Sequence, residues 1–171
     1  MDNETASITV SALIGNTTEM GGIATFTVVI DSQPTSDVSI AVSSSDTSEA
    51  TISPSSLTFG SSNYSTLQTV TVTGVDDFYD YDNVSYTITV DPSSRITSYN
   101  IMTSSTITGS NIDNDTAAIT VGAKSGNTSE FGTTATINVT LATIPTANVS
   151  IVVTDNDSTE VSITPTTLTN T

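Results

Sequence analysis

Apolar and polar residues alternate along much of this chain with a period of two. The stretch 69–73 alternates threonine with valine, and the stretch 84–90 alternates apolar with polar residues. Successive side chains of a β-strand point to opposite faces, so this pattern predicts strands that bury one face. No window combines apolar residues at helical spacing with flanking caps. The pattern therefore predicts an all-β protein.

Seven short strands are predicted in the first two thirds of the chain, separated by stretches rich in Gly, Pro and Ser that form turns. Short strands with turns about every 8–12 residues are the pattern of an immunoglobulin-like antiparallel β-sandwich. The predicted strands are A (7–11), B (24–31), C (38–43), D (51–53 with 57–59), E (66–75), F (84–91) and G (104–108).

The opening of the chain, which starts at Asp2, recurs from Asp113 without a gap, and nearly half of the aligned positions are identical. Such self-similarity predicts a tandem repeat with a period of about 111. Residues 1–4 are then the tail of a preceding repeat, 5–115 a complete repeat, and 116–171 the first half of a second repeat, equivalent to strands A to D.

Half a sandwich cannot bury its inner face, and it leaves open strand edges that invite pairing. Two interpretations follow. The chain is a fragment of a longer array of repeats, or the half repeat is completed by strands of a neighbouring chain, which would give head-to-tail filaments.

The chain is strongly acidic, with 18 Asp and Glu against two Lys and Arg, no His and a formal net charge of −16. Nucleic-acid binding requires clustered basic residues, so this balance argues against it. So much charge of one sign also opposes compactness unless counter-ions bind.

Other features of composition indicate an extracellular or cell-surface protein. The sequence has no Cys, which excludes disulfides and thiolate metal sites. It has no apolar run long enough to span a membrane, so direct membrane insertion is not expected. Its start, Met1-Asp2-Asn3-Glu4, is polar and does not resemble a secretory signal. An exported protein would therefore be present here as a mature or excised piece. Abundant Ser and Thr is typical of extracellular stalks.

An acidic run lies between predicted strands E and F. It contains Asp76, Asp77, Asp80 and Asp82, which repel one another unless a cation or open water intervenes. Calcium takes six to eight hard oxygen ligands at roughly 2.3–2.6 Å, and carboxylates from several loops supply them. The alternative is that Asp and Asn in these loops only form turns.

Three segments carry a resemblance to a known family. They are Glu19-Met20-Gly21-Gly22 ahead of strand B, the Asp-Asp-x-x-Asp-x-Asp loop at 76–82, and Ile112-Asp113-Asn114-Asp115 after strand G. They resemble Calx-β domains, the calcium-binding sandwiches of sodium/calcium exchangers, integrin β4 and many bacterial surface repeats. The stretches 43–49, 53–59 and 68–77 are similar to the bacterial form, and the resemblance covers essentially the whole chain.

The resemblance implies calcium at one end of the sandwich. The ligands it implies are Glu19, Asp46, Asp76, Asp77, Asp113 and Asp115, with a partial set, Glu130 and Asp157, in the second repeat. The family usually has an acid five residues after the first Asp of the pair. That position is Tyr81 here, and Asp80 or Asp82 could substitute, which leaves a second calcium open. Glu49 and Glu160 recur at one repeat position but are expected to face solvent.

Asn-x-Ser/Thr sequons are frequent, and in an exported protein they are candidate glycosylation sites. The candidates are Asn16, Asn63, Asn83, Asn127 and Asn148.

The sequence argues against an enzyme. Without His or Cys there is no Ser-His-Asp or Cys-His arrangement. Paired carboxylates could cleave glycosides, but five Tyr, four Phe and no Trp do not suggest an aromatic-lined cleft. No glycine-rich phosphate loop is present.

The favoured function is an extracellular structural or adhesive repeat module that calcium makes rigid at the loops between repeats. Its partners would be further copies of the repeat or filament neighbours, with surface glycans or other cell-surface proteins as further candidates. The alternatives are a calcium-sensing regulatory module or a carbohydrate-binding accessory module of a larger surface protein. Tyr79 and Tyr81 are the residues that favour the carbohydrate alternative.

Overall fold

The computed structural model describes residues 5–94, 97–100 and 102–170, so the predicted tail of a preceding repeat, 1–4, lies outside the described residues. The chain divides into two compact units. The first unit consists of Met1–Asp77 and Asp82–Asn114, and the second unit consists of Phe78–Tyr81 and Asp115–Thr171. The loop between predicted strands E and F is thus divided, because its tip groups with the second unit.

The described part of the first unit contains nine strands and one turn of helix, so the all-β prediction is confirmed. The strands are β1 (Ile8–Val10), β2 (Thr17–Thr18), β3 (Ile23–Ile30), β4 (Val38–Ser44), β5 (Ala50–Ser53), β6 (Ser56–Phe59), β7 (Gln68–Gly74), β8 (Val84–Ser94) and β9 (Ser105–Ile112), and the helix is α1 (Thr97–Asn100).

These strands form two sheets that pack face to face. One has the order β1-β3-β7-β5 and the other the order β2-β9-β8-β4-β6. Neighbouring strands are antiparallel except β2 and β9, which pair in parallel with Thr17 opposite Asn111. The prediction of an antiparallel sandwich therefore holds apart from this one pair, which the alternation pattern could not reveal because β2 is only two residues long.

Predicted strand D is two strands in different sheets. Thr51 and Ile52 of β5 pair with β7, whereas Leu57 of β6 pairs with β4. The prediction of a single strand D was wrong. The chain changes sheets at Pro54, whose nitrogen carries no hydrogen and cannot continue the ladder of β5.

The core lies between the two sheets and is built by alternate residues of each strand. In β3 the inward residues Phe26, Val28 and Ile30 are buried, and they pack against inward residues of the facing sheet. The predicted alternation is confirmed in β7 and β8, whose inward residues include Val72 and Ile88. Full burial of a side chain of this size stabilises the folded state by roughly 1.5–3 kcal/mol.

The helix α1 was not predicted and serves to close one edge of this core. Its Tyr99 is buried, and the Tyr99 hydroxyl donates to the carbonyl oxygen of Ser32 at 2.9 Å. Within the described residues no helix is long and apolar enough to cross a membrane.

The second unit is much less complete. Its strands are β10 (Ile119–Val121), β11 (Val139–Leu141), β12 (Val149–Val152) and β13 (Thr167–Asn170). They form two separate antiparallel pairs, β10 with β11 and β12 with β13. Several large apolar side chains of this unit are exposed, including Phe131 and Val121.

Gly74, the last residue of β7, has less room for a side chain than any other described glycine. A Cβ at this position would lie 2.2 Å from the carbonyl oxygen of Thr18 and 2.5 Å from Oδ1 of Asn111. The Gly74 N–H also donates to the carbonyl oxygen of Gly22 at 3.0 Å. Only glycine lets β7 approach the segment that leads into β3.

We expect Gly74→Ala to lower the free energy of unfolding of the first unit by about 3 kcal/mol, because the new methyl group can fit only if backbone moves. Urea denaturation followed by circular dichroism measures the change. Gly126→Ala is the matched control, since a Cβ there meets nothing within 4 Å. An equal effect of the two substitutions would contradict the contact described.

Candidate metal centre

The candidate site is built around Glu19, which lies in the turn between β2 and β3. Thr17 of β2 donates through Oγ1 to the carbonyl oxygen of Ser110 at 3.1 Å, and the Glu19 N–H donates to the carbonyl oxygen of Ile112 at 3.2 Å. The turn closes at Gly21, whose φ of 78° favours glycine. These bonds hold Glu19 against the end of β9, and its side chain is only 2% exposed.

Glu19 and Asp113 form a pair of adjacent carboxyl groups. Each offers a carboxylate oxygen within 4.8 Å of the other. Glu19 Oε2 also accepts from the N–H of Asn114 at 3.1 Å, and the N–H of Asp113 donates to Oδ1 of Asn83 at 3.0 Å. The two segments that the sequence placed at opposite ends of the repeat are thus adjacent in the fold.

Burial raises the pKa of Glu19 above its ordinary value, because a charged carboxylate is poorly solvated there. The hydrogen bond with Asp113 and the charges of Asp113 and Asp77 act in the same direction, and the N–H of Asn114 acts against them. No Lys or Arg lies among the described residues of the first unit; Arg95, its single basic side chain, lies outside them.

Glu49 is a second buried acid at the same end of the sandwich. The prediction that it faces solvent was wrong, since it is only 6% exposed. Its Oε2 accepts from Nδ2 of Asn111 at 3.3 Å, and the same Nδ2 donates to the carbonyl oxygen of Val75 at 3.0 Å. The sequence offered one signal for Glu49, namely its recurrence as Glu160 at the same repeat position.

Asn111 of β9 donates to Glu49 and lies two residues before Asp113 in the sequence. It is buried in the strand directly before Ile112 and Asp113, and it has a side-chain oxygen for which the described residues supply no hydrogen-bond donor. Carboxylate and amide oxygens are the ligands that hard cations such as calcium prefer. Glu19 and Asp113 are the acids of the first unit whose carboxylate oxygens lie within 4.8 Å of one another, and Glu49 lies beside Asn111.

The acidic loop residues are placed differently from one another. Asp77 is half-buried and its charge acts on Glu19, while Asp76 and Asp82 are exposed. Asp80 belongs to the second unit, where its Oδ2 accepts from the N–H of Ala117 at 2.7 Å. Asp115 begins the longer segment of the second unit. Within the first unit, Asp77 is thus the member of the acidic run that acts on Glu19.

Asp46 is used in a local turn. Its Oδ1 accepts from the N–H of Ser48 at 3.0 Å, and the hydrogen bonds from Ser48 lower the pKa of Asp46. Asp157 of the second unit makes the same turn with Thr159, which lowers the pKa of Asp157 in the same way. Glu130 is exposed. In the loop after β4, the buried acid is Glu49 rather than Asp46.

Most of the sequon asparagines are exposed: Asn16, Asn83, Asn127 and Asn148. Asn63 differs, because its amide holds a turn. Its Oδ1 accepts from the N–H of Gly60 at 2.6 Å, and its Nδ2 donates to the carbonyl oxygen of Thr58 at 3.1 Å. A glycan on that nitrogen would have to leave this turn intact.

No protein-family model matches the chain, and no curated protein is similar to it. The chain is similar to several solved structures. SSP-19, an MSP-domain-like protein of Caenorhabditis elegans, is 15% identical with a TM-score of 0.42 over 58% of this chain and 94% of its own. WR4, an MSP family member of C. elegans, is 14% identical with a TM-score of 0.40 over 63% and 97%. The E. coli chaperone DraB is 9% identical with a TM-score of 0.44 over 86% and 91%. These likenesses are distant.

The raised pKa of Glu19 predicts a dependence of stability on pH in calcium-free buffer. Because the folded-state pKa lies above the unfolded-state value of about 4.3, the folded state binds more protons between the two values. Its unfolding free energy therefore falls as pH rises through that interval. Glutamine does not ionise, so Glu19→Gln should remove the decrease in unfolding free energy that ionisation of Glu19 causes. The variant should therefore gain stability relative to the wild type as pH increases above about 4.3.

Urea denaturation at a series of pH values in the presence of a chelator measures this difference. Asp46→Asn is the control and should behave in the opposite sense. The pKa of Asp46 is lowered in the folded state. Its ionised carboxylate therefore stabilises the fold at neutral pH, and this stabilisation is lost as pH falls through the folded-state pKa. A Glu19→Gln difference that does not change with pH would contradict the assignment.

Proposed function

We propose that this chain is an extracellular structural or adhesive module of tandem β-sandwich repeats, which bind calcium at the end of the sandwich where Glu19 lies. The single observation that carries the proposal is the buried carboxyl group of Glu19 next to the half-buried carboxyl group of Asp113. The role is not catalytic, and the partners are further repeats of the same kind.

Electrostatics supports the calcium site. Two full charges within 4.8 Å of each other repel by on the order of 3 kcal/mol or more at the effective dielectric constant typical of proteins. Burial of Glu19 adds a desolvation cost to its charged form. A divalent cation replaces this repulsion with attraction and lets both carboxylates ionise at neutral pH.

The chemistry of the donors fits calcium rather than a softer metal. The chain contains no Cys or His, so every side-chain donor at this end is an oxygen. Glu19, Asp113, Glu49 and Asp77 provide carboxylates, and calcium accepts several such groups with adjustable geometry.

Internal strand pairings support the tandem repeat. In the first unit Ile8 pairs with Ile30, and in the second unit Ile119 pairs with Leu141, each residue one repeat period after its counterpart. The pairing of Val38 with Phe59 corresponds in the same way to that of Val149 with Asn170. Two stretches of sequence thus form the same pairs in the same register.

The surface location rests on composition. Extracellular calcium modules bind weakly, with dissociation constants of about 10⁻⁴–10⁻³ M, and abundant Ser and Thr suits an exported stalk. Glycans at exposed sequons would fit the same location.

A calcium-sensing regulatory module remains the alternative, because it would use the same ligands. A carbohydrate-binding module is less well supported. The rings of Tyr79 and Tyr81 stack on each other with centroids 6.3 Å apart and planes 12° apart, so each ring already gives one face to the other.

Calcium should raise the melting temperature of the chain, and EGTA should reverse the change. At free calcium one hundred times the dissociation constant, the stabilisation should be about 2.7 kcal/mol. Glu19→Gln and Asp77→Asn should each reduce the shift, because each removes a charge that the ion would neutralise. Differential scanning calorimetry measures these temperatures.

Asp37→Asn is the matched control, because it removes the same charge at a distant place. Asp37 precedes Val38 at the start of β4, whereas Glu49 follows the end of β4 at Ser44. It should leave the calcium-dependent shift unchanged. A wild-type chain that melts at the same temperature with calcium and with EGTA would refute the proposed site.

A further inference from the structure

The second unit exposes side chains at positions that the first unit buries. Ile137 is 56% exposed, whereas Phe26, one repeat period earlier, is 0% exposed. Val161 is 39% exposed, whereas its counterpart Ala50 is 0% exposed. These four residues are apolar in both units, so the difference lies in what covers them.

In the first unit the covering elements are β7, β8 and β9. Strand β7 lies beside β3, with Val70 opposite Phe26, and β8 lies beside β4, with Val90 opposite Val42. Strand β9 extends the second sheet beyond β8. The inward residues of β7 and β8 complete the core.

The strands of the second unit that correspond to β3 and β4 are β11 and β12. Each has one partner among the described residues of that unit, β10 for β11 and β13 for β12. Both strands thus keep one edge on which a further strand could pair. An open edge beside exposed apolar side chains is suited to strand addition, in which main-chain hydrogen bonds and alternate side chains bind together.

We propose that the open face of the second unit is a docking site for a three-stranded segment with the β7–β9 pattern, contributed by a further repeat of this sequence. The proposal rests on the tandem repeat proposed above. The segment would pair with β11 on one sheet and with β12 on the other, and its inward Val, Ile and Tyr would cover Ile137 and Val161.

A second copy of these 171 residues is a poorer occupant. Its own β7, β8 and β9 already fill the core of its first unit, where Val70 and Ile88 are fully buried. It could donate them only by opening that unit. Each copy therefore holds one β7–β9 segment, which its first unit already uses. The open face of the second unit needs an additional segment of this kind.

The test extends the full chain after its last residue with a second copy of residues 61–114. Hydrogen–deuterium exchange reports on the backbone N–H groups of β11 and β12. In the extended chain we expect these groups to exchange at least about tenfold more slowly than in the original chain, because they would open only with the completed sandwich.

The matched control carries the same extension with the copies of Val70, Val72, Tyr86, Ile88 and Val90 changed to serine. It should leave exchange in β11 and β12 fast. Slow exchange in β3 and β8 in every sample verifies that the first unit remains folded. If the apolar and serine extensions give the same exchange in β11 and β12, the proposed docking is wrong.

Two further results would overturn the proposal. Protection of β11 and β12 in the original chain that increases with protein concentration would show that two copies cover each other. Exchange in β11 and β12 of the original chain as slow as in β3, even at high dilution, would show that the second unit needs no partner.

The calcium site and the docking site can fail separately. A melting temperature insensitive to calcium, together with slower exchange in the apolar extension, would refute the calcium site and leave the docking intact.

Discussion

The constraint that dominates one end of the sandwich is the close approach of two acidic side chains, one of them buried. Glu19 and Asp113 carry adjacent carboxyl groups, Glu19 is almost wholly buried, and burial raises the pKa of Glu19. A fold that keeps two acids together in this way retains them at a cost unless a cation or a shared proton neutralises them. The proposed calcium ion is the agent that fits an all-oxygen set of donors.

The rest of the first unit holds these acids in place. Strand β2 is only two residues long, yet its pairing with β9 fixes the turn that carries Glu19. The absence of a side chain at Gly74 lets β7 come close to Thr18 and Asn111. Asn111 then ties the end of β9 to Glu49 and to the carbonyl oxygen of Val75. Strand β7 therefore links the apolar core to the acidic end, because Val70 and Val72 lie in the core and Gly74 lies beside Thr18 and Asn111.

The two units show what a β-sandwich needs in order to close. The first unit has both sheets complete and buries its inward side chains almost fully. The second unit forms the equivalent first pairs, β10 with β11 and β12 with β13, but leaves apolar residues such as Ile137 exposed. Antiparallel pairing between strands close in sequence thus forms without a full core, whereas burial requires the later strands.

Much of the fold could be predicted from local pattern. Strands B and C were predicted where β3 and β4 lie, and alternation placed β7 and β8 and identified their inward residues, because side-chain direction in a strand follows a period of two. The division of strand D, the parallel pairing of β2 and the helix α1 could not be predicted. Each depends on which sheet a short segment joins, and that choice is made by distant strands.

The candidate site shows the same limit more sharply. The sequence by itself determined that acids are concentrated next to predicted strands, and its resemblance to Calx-β domains grouped Glu19 with Asp113 as implied ligands. Only the tertiary structure decided which acids are buried together. It placed Glu49 inside beside Asn111, bonded Asp46 to the backbone N–H of Ser48 and assigned Asp80 to the second unit. The physical reason is that desolvation and charge–charge interaction depend on distances in space, which for Glu19 and Asp113 are fixed by the pairing of β2 with β9.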